Sequence, residues 1–448
     1  MKEKAKPKAK TANKPPAERT LKIFFNAIKA GKADDVAKQV GKLGADVRYA
    51  PQYRCEAPAL VWAAGETTQG EGCVRVLLDA GADIEAVNAY KQTALHQACG
   101  EGNVETVTLL LDRGAKTDVL DNQGLTPYAC AKGARVRKLL RARGVPGFGP
   151  RGGKQLEARV KENVKNIELD RGAIGRGGDG RMWFGAYAGL FRHDGKTTTR
   201  FNFEDHMAID SIAAGPPGVT YIGTNFGLVE YANEKFTLFS SQNSDLFDHH
   251  IVHMRTSPDG RPHIVSYESE AENKHISVFD GTHFTLLEPG VDFPPELDIQ
   301  CLAFDPDGKL VIGADKALAF QRDGKWEVIR DFGEGVYSVR IHDILVEPGV
   351  MWLGTGSGIL EYRDGKFTVH DTKLVKTMAK DGDAIWFGMY FEGLGCLRNG
   401  EITLFKKEDS ELPHEDVHDV VRADDGTIWV YAGTGLATVK NGNLERFD

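Results

Sequence analysis

Imidazole and carboxylate side chains stand close together at two places in the second half of the chain. His249 and His250 follow Asp248, and His414 directly precedes two acidic residues. Imidazole titrates near pH 6.5 and can act as a general acid or base beside a carboxylate. The same groups also serve the non-covalent recognition of a small ligand or a peptide. These residues are therefore candidates for either kind of site.

The run His249-His250-x-x-His253 raises the question of a metal ion. Zinc sites on helices use histidines at positions i and i+4, whereas this run leads into a predicted strand, where neighbouring side chains point to opposite faces. No Gly-rich phosphate loop or nucleophile motif is present either. The sequence therefore predicts neither a metal site nor a cofactor.

The elements that carry these residues form a repeat. From about residue 166 the apolar residues alternate, and each unit has a Trp- or Tyr-containing strand, a Gly-Leu pair and an Asp-Gly or Asn-Gly turn. Five copies are clear, such as 179–195 and 351–367, and two weaker copies lie around 259–281 and 307–326. Seven units of about 40 residues match the length of a four-stranded blade. The pattern resembles the propeller repeats found beside bacterial two-component regulators, which implies a seven-bladed β-propeller over 166–448.

In a propeller, the second-to-third and fourth-to-first loops surround one mouth of the central channel. This placement predicts a rim composed of Tyr187, Phe226, His249, His250, Tyr390, Phe391, Glu392 and His414. Aromatic rings on turns cannot join the core of a blade, so either they bind a partner or they cover the channel mouth. The Trp or Tyr that recurs in the second strands is instead assigned to packing between blades.

A helical repeat occupies the first part of the chain. Its clearest copy contains Thr93-Ala-Leu-His-Gln-Ala98, Gly102–Val107 and Leu109–Ala115, with a glycine after each Leu-Leu pair. These motifs resemble ankyrin repeats, and the resemblance implies a solenoid of four repeats over 19–146. Thr93 is expected to cap a helix, and His96 to bond a neighbouring turn. The fold class is thus multidomain: an ankyrin α-solenoid followed by an all-β propeller.

Charge and composition delimit the remaining segments. Residues 1–18 are predicted to be a disordered basic tail, and 147–165 a Gly-rich linker. The first 165 residues carry a net charge of +11 and the remainder −19. The basic ankyrin part could therefore dock on the acidic propeller, with Arg135–Arg143 as the contacting edge. This basic strip lacks interleaved aromatic residues, which argues against nucleic acid as a partner.

These features favour a non-enzymatic recognition module, a scaffold or sensory interaction protein, with an unknown protein partner or small ligand. The alternative is a propeller enzyme of lyase or lactonase type that uses the histidines and acids of the rim. A third possibility is a regulatory ligand sensor without membrane or kinase parts. Six cysteines without a CxxC pair and the lack of a signal-like or membrane-spanning apolar run lead us to expect a cytoplasmic location and no membrane partner.

Overall fold

The computed structural model describes most of the chain, in two compact units that divide between residues 147 and 148. The described residues are 18–49, 56–66, 70–131, 134–145, 153–165, 167, 169, 172–186, 189–203, 207–241, 243–268, 273–334, 336, 339–370 and 373–447. The predicted basic tail lies outside these ranges except for Glu18, which begins the first helix. Tyr187 of the predicted rim also lies outside them.

Short helices in pairs build the first unit. The helices of its described part are α1 Glu18–Lys29, α2 Ala33–Leu43, α3 Ala59–Ala64, α4 Gly70–Asp79, α5 Ala94–Gly100, α6 Val104–Asp112, α7 Pro127–Cys130 and α8 Ala134–Ala142. The odd-numbered helices pack against one another in sequence, and so do the even-numbered ones. A two-stranded sheet pairs Arg48–Tyr49 with Ala57–Pro58. This stack of helix pairs is the predicted ankyrin solenoid.

Local signals of the repeat have the predicted roles. Thr93 Oγ1 accepts a hydrogen bond from the His96 backbone N–H at the start of α5. The other end of the His96 ring lies 3.1 Å from the Leu125 carbonyl oxygen, in the next repeat. Gly114, after α6, has a φ of 84°, the left-handed conformation that ends a helix. Ala98 is fully buried, so the helices approach closely there.

Seven antiparallel sheets form the second unit, and each takes its four main strands from consecutive sequence. From innermost to outermost they are blade 1, Ile174–Arg176, Met182–Ala186, Gly189–His193, Thr198–Asn202; blade 2, Ile209–Ala214, Thr220–Thr224, Gly227–Ala232, Lys235–Phe239; blade 3, Ile251–Thr256, Pro262–Glu268, Asn273–Phe279, Phe284–Leu286; blade 4, Ile299–Phe304, Leu310–Ala314, Ala317–Arg322, Lys325–Ile329; blade 5, Ile341–Glu347, Val350–Thr355, Gly358–Arg363, Lys366–His370; blade 6, Val375–Asp381, Ala384–Met389, Leu394–Arg398, Glu401–Phe405; and blade 7, Val417–Arg422, Ile428–Ala432, Gly435–Lys440, Asn443–Phe447. The predicted seven-bladed propeller is confirmed.

The innermost strands contact one another in a closed ring, in which blade 7 lies next to blade 1. Leu169 helps to close this ring, since its N–H donates to Thr434 O of blade 7 over 2.9 Å and its carbonyl accepts from the Tyr431 hydroxyl. Trp183 and Trp429 are buried between blades, as the packing interpretation of the recurring aromatic position predicts.

The segment predicted as a linker over 147–165 differs from that expectation. Lys154–Leu156 is a strand that pairs with the outermost strand of blade 2, and Arg159–Lys161 pairs with that of blade 1. Both blades therefore have five strands. Exposed strand edges present unpaired backbone donors and acceptors, and an alternating polar segment can add to them despite its high charge. Within the described residues, the propeller unit thus begins at 153.

Candidate functional site

A bulge interrupts the innermost strands of blades 2 to 7. In blades 2 to 7 the pairing with the second strand skips one residue near the start of the innermost strand. The skipped residues are Asp210, Val252, Gln300, His342, Lys376 and His418. Such bulges re-aim a side chain and bend the strand. Asp210, His342, Lys376 and His418 line a channel cavity of about 410 Å³.

In blades 3, 5, 6 and 7, the residue after the bulge joins neighbouring blades. In blade 5, Asp343 Oδ2 accepts from the Met378 backbone N–H of blade 6 over 2.8 Å. Equivalent bonds run from Leu302 N to His253 Nε2, from Val420 N to Thr377 Oγ1 and from Ile174 N to Asp419 Oδ2, at 3.2, 3.3 and 3.3 Å. These polar side chains therefore hold the ring together at its centre.

Burial perturbs the pKa of two members of this set in opposite directions. It raises the pKa of Asp419 to about 6, although hydrogen bonds from Thr377 and Ile174 oppose the change. It lowers the pKa of His253 to about 3, and the positive charge of Arg255 contributes to this. Burial is unfavourable to the charged form of each group, which explains both directions. Because their polar atoms already bond neighbouring blades, we assign these residues a structural role.

The predicted rim separates into two groups on opposite sides of the ring. Phe226, His249 and His250 lie on the loops of blades 2 and 3. Tyr390, Phe391, Glu392 and His414 lie on the loops of blades 6 and 7. The seven predicted rim residues that the structure describes therefore do not form one cluster, and Tyr187 lies outside the described residues.

The group at blades 6 and 7 is a contiguous surface. The Tyr390 and Phe391 rings meet edge to face at 4.6 Å, and the Phe391 ring lies 6.1 Å from that of His414. The Gly393 N–H donates to Glu415 O over 2.8 Å and so joins the turn to the connection between the two blades. Tyr390, Phe391, Glu392, His414, Glu415 and Asp416 are called the mouth patch below.

Lys376 of the channel wall connects to this patch. Its ammonium nitrogen lies 2.7 Å from Asp416 Oδ1 and 4.5 Å from the centre of the Tyr390 ring. Asp416 also lies 3.7 Å from His418 Nε2, and its backbone N–H donates to His414 Nδ1. Burial is the main cause that lowers the pKa of His418. The patch thus combines exposed rings with a carboxylate that already holds one cation.

The group at blades 2 and 3 is less connected. The Phe226 side chain is 42% exposed on the turn of blade 2. The rings of His250 and Tyr267 lie 6.1 Å apart, and His249 Nδ1 lies 3.6 Å from Asp248 Oδ1. This group therefore lacks the stacked pair of rings that the turn of blade 6 has.

The ankyrin unit contains a groove of its own, of about 610 Å³. It is lined by residues of α3, α5 and the intervening loop: Trp62, Glu66, Asn88, Tyr90, Gln92, Gln97 and Glu101. Gln92 is held in place by Gln97 on one side and by Asp121 of the next repeat on the other. The groove thus has fixed amide groups beside an exposed tyrosine.

Side chains of the basic strip at the end of the solenoid have partners within the same unit. Arg137 is buried and donates to Ala131 O, Arg141 donates to the Tyr128 hydroxyl, and Arg143 pairs with Asp112. These arginines therefore already stabilise the end of the solenoid. Docking of this strip on the propeller stays a prediction.

Sequence reasoning considered His253 for a metal site but assigned no inner-strand residue to the channel or to the bonds between blades. The dipeptide His-Asp occurs on the innermost strands of blades 5 and 7, at 342–343 and 418–419. It also occurs at 193–194 and 370–371, so the dipeptide alone does not identify an innermost strand. Only the bulge in the structure distinguishes the skipped residue from the one that bonds the neighbouring blade.

Comparisons with known proteins agree with both architectures. Residues 25–145 match the family "Ankyrin repeats", in three copies. A segment of 67 residues is 42% identical to Ankyrin repeat and SOCS box protein 16 of Mus musculus and covers 15% of each chain. Another, of 79 residues, is 39% identical to the Ankyrin repeat and LEM domain-containing protein 1 homolog of Caenorhabditis elegans and covers 18% of this chain and 11% of the relative. The matches thus span less than a sixth of these curated relatives.

A solved structure is similar to the chain at 16% identity and a TM-score of 0.51. It is the extracellular domain of a protein described as a one component system of B. thetaiotaomicron, and the match covers 64% of this chain and 40% of that one. This likeness concerns the fold alone. In the part of the chain that the structure describes, no helix is long and apolar enough to cross a membrane.

Proposed function

We propose that the chain is a non-enzymatic recognition protein whose mouth patch binds a partner polypeptide. Ankyrin repeats and a propeller are both scaffolds that present loops on a rigid frame, and binding residues concentrate on such loops. Tyrosine and phenylalanine are enriched at the centres of protein interfaces. The proposal therefore rests on where the chain exposes aromatic rings that its own core does not use.

The observation that carries the proposal is the second-to-third turn of blade 6. Tyr390 and Phe391 are 51% and 55% exposed, and Phe391 adopts a φ of 54°. A left-handed conformation is unfavourable for a bulky residue and costs on the order of 1–3 kcal/mol. Strain of this kind is concentrated at functional sites. The two-residue turn of blade 4 also holds a left-handed residue, Lys316, and that of blade 2 also exposes a ring, Phe226, whereas the turn of blade 6 combines a left-handed residue with two exposed rings.

The other blades show that the fold does not demand this turn. In blades 2 and 5, two residues separate the last paired positions, Thr224 and Gly227 or Thr355 and Gly358. In blade 6 the last pair is Gly388 and Leu394, so five residues intervene. The turn of blade 6 is thus a local elaboration of a repeat that closes without it.

The test compares Tyr390→Ser/Phe391→Ser with Val369→Ser, an exposed apolar residue on the outermost strand of blade 5. Quantitative affinity capture with the full chain identifies the proteins bound by wild type, and each candidate is then purified and titrated directly. We expect the double variant to lose binding and the control to retain it, with both melting like wild type. Equal binding by the double variant and wild type would refute the mouth patch as the binding site. The ankyrin groove would then be the next candidate.

The cytoplasmic location stays part of the proposal. Cys73, Cys99 and Cys301 are buried and free of disulfide bonds, and burial raises the pKa of each thiol, which keeps them in the unreactive form. Fractionation of cells that produce the tagged chain tests this location.

A further inference from the structure

We propose that the partner segment recognised by the mouth patch is rich in lysine and arginine. This inference rests on the proposed function and specifies the chemistry of the partner. It follows from the contacts of Lys376, the exposed ring faces and the charge of the adjoining connection.

Lys376 shows which chemistry the patch already accommodates. Its ammonium group lies on the face of the Tyr390 ring and bonds the Asp416 carboxylate at the same time. An aromatic face and a carboxylate are the two groups that attract an ammonium or guanidinium ion. The Lys376 ammonium of the chain itself already occupies one such position, so the patch binds a cation before any partner arrives.

The neighbouring ring offers a second place of the same kind. The Phe391 side chain is more exposed than that of Tyr390. Its ring contacts the rings of Tyr390 and His414. The Glu392 carboxylate follows it directly and lies 3.5 Å from the ammonium of Lys406, an exposed pair of the kind that exchanges partners at little cost. A lysine or arginine of a partner could therefore stack on Phe391 beside Glu392.

The negative charge around the patch also favours a basic partner segment. The connection 406–416 contains five acidic residues and two lysines, and the propeller part of the chain has 46 acidic residues against 27 basic ones. The negative electrostatic potential of these residues accelerates the approach of a basic segment and repels an acidic one. The rings then supply the short-range contact that a diffuse field lacks.

The experiment measures binding of two fluorescent hexapeptides, hexalysine and hexaglutamate, to the full chain at 0.15 M salt. We expect hexalysine to bind at the patch, whereas any binding of hexaglutamate, through the basic first 165 residues, should not change in the patch variants. Phe391→Leu keeps the apolar volume but removes the π face, and it should weaken hexalysine binding about two- to fivefold. Glu392→Gln should weaken it by a similar factor.

Two controls separate the patch from the general charge of the propeller. Phe226→Leu removes an exposed ring on the same face at blade 2, and Glu401→Gln removes one negative charge from the outermost strand of blade 6. Both should bind hexalysine as wild type does. Equal weakening in patch and control variants, or no weakening in either patch variant while both melt like wild type, would overturn the inference.

Failure of this inference is distinguishable from failure of the proposed function. If hexalysine does not bind, but the purified partner still loses binding in Tyr390→Ser/Phe391→Ser, the patch binds a partner of different chemistry. If the purified partner binds that variant normally, the proposed function itself is refuted.

Discussion

Replacement of Asp343 by alanine tests whether the ring of bonds around the channel stabilises the propeller. Asp343 is 5% exposed, and its carboxylate accepts hydrogen bonds from Ile344 N at 2.9 Å and from Met378 N of the next blade at 2.8 Å. It also pairs with the Arg255 guanidinium at 2.7 Å. Alanine removes all three interactions and leaves their donors in place.

The expected loss of stability follows from these donors. A buried N–H left without an acceptor costs about 1–3 kcal/mol, and water from the channel can compensate part of this cost. The Arg255 side chain is 42% exposed, so its ion pair contributes only about 0–1 kcal/mol. We expect the free energy of unfolding of the propeller to fall by about 2–4 kcal/mol.

Urea unfolding followed by tryptophan fluorescence measures this change, because five of the six tryptophans belong to the propeller. The matched control is Asp307→Ala, an exposed aspartate on a turn of blade 4, which should change the free energy by less than about 0.5 kcal/mol. A change for Asp343→Ala no larger than that of the control would refute the structural role of the ring.

Three further predictions concern other parts of the chain. The pKa of Asp419 is raised in the folded state, so the stability that this carboxyl contributes is present below pH 4 and lost as the pH rises through about 6. The free energy of unfolding of wild type should therefore fall by up to about 2 kcal/mol relative to Asp419→Asn between pH 4 and pH 7. Urea unfolding at each pH measures this difference. Ala98→Asp buries an unpaired charge between helices, so circular dichroism should show loss of the helical signal while the propeller retains its fluorescence transition. Limited proteolysis with trypsin should spare Lys154–Lys161, since these residues pair with blades 1 and 2; a first cut there, mapped by mass spectrometry, would contradict the pairing.

Local patterns predicted most of the architecture. The Thr93–Ala98 motif and the glycines after each Leu-Leu pair act within one or two turns of a helix, so their meaning does not depend on distant residues. The Asn-Gly and Asp-Gly pairs likewise specify their turns, as the positive φ of Asp364 and Gly365 shows. Repetition then reveals the number of units, because each blade or helix pair must bury its apolar face against the next.

The candidate site depended on tertiary structure in three respects. The order of blades around the ring separates Phe226 from Phe391, although both lie on equivalent turns. The charged segment 154–161, which reads as a linker, pairs with open strand edges that no sequence pattern identifies in advance. His418 and Asp419 both line the channel cavity, but the strand pairing skips only His418, and the Asp419 carboxylate accepts a hydrogen bond from Ile174 N of blade 1. Contacts between residues distant in sequence depend on the closure of the whole ring, and a local pattern cannot encode this closure.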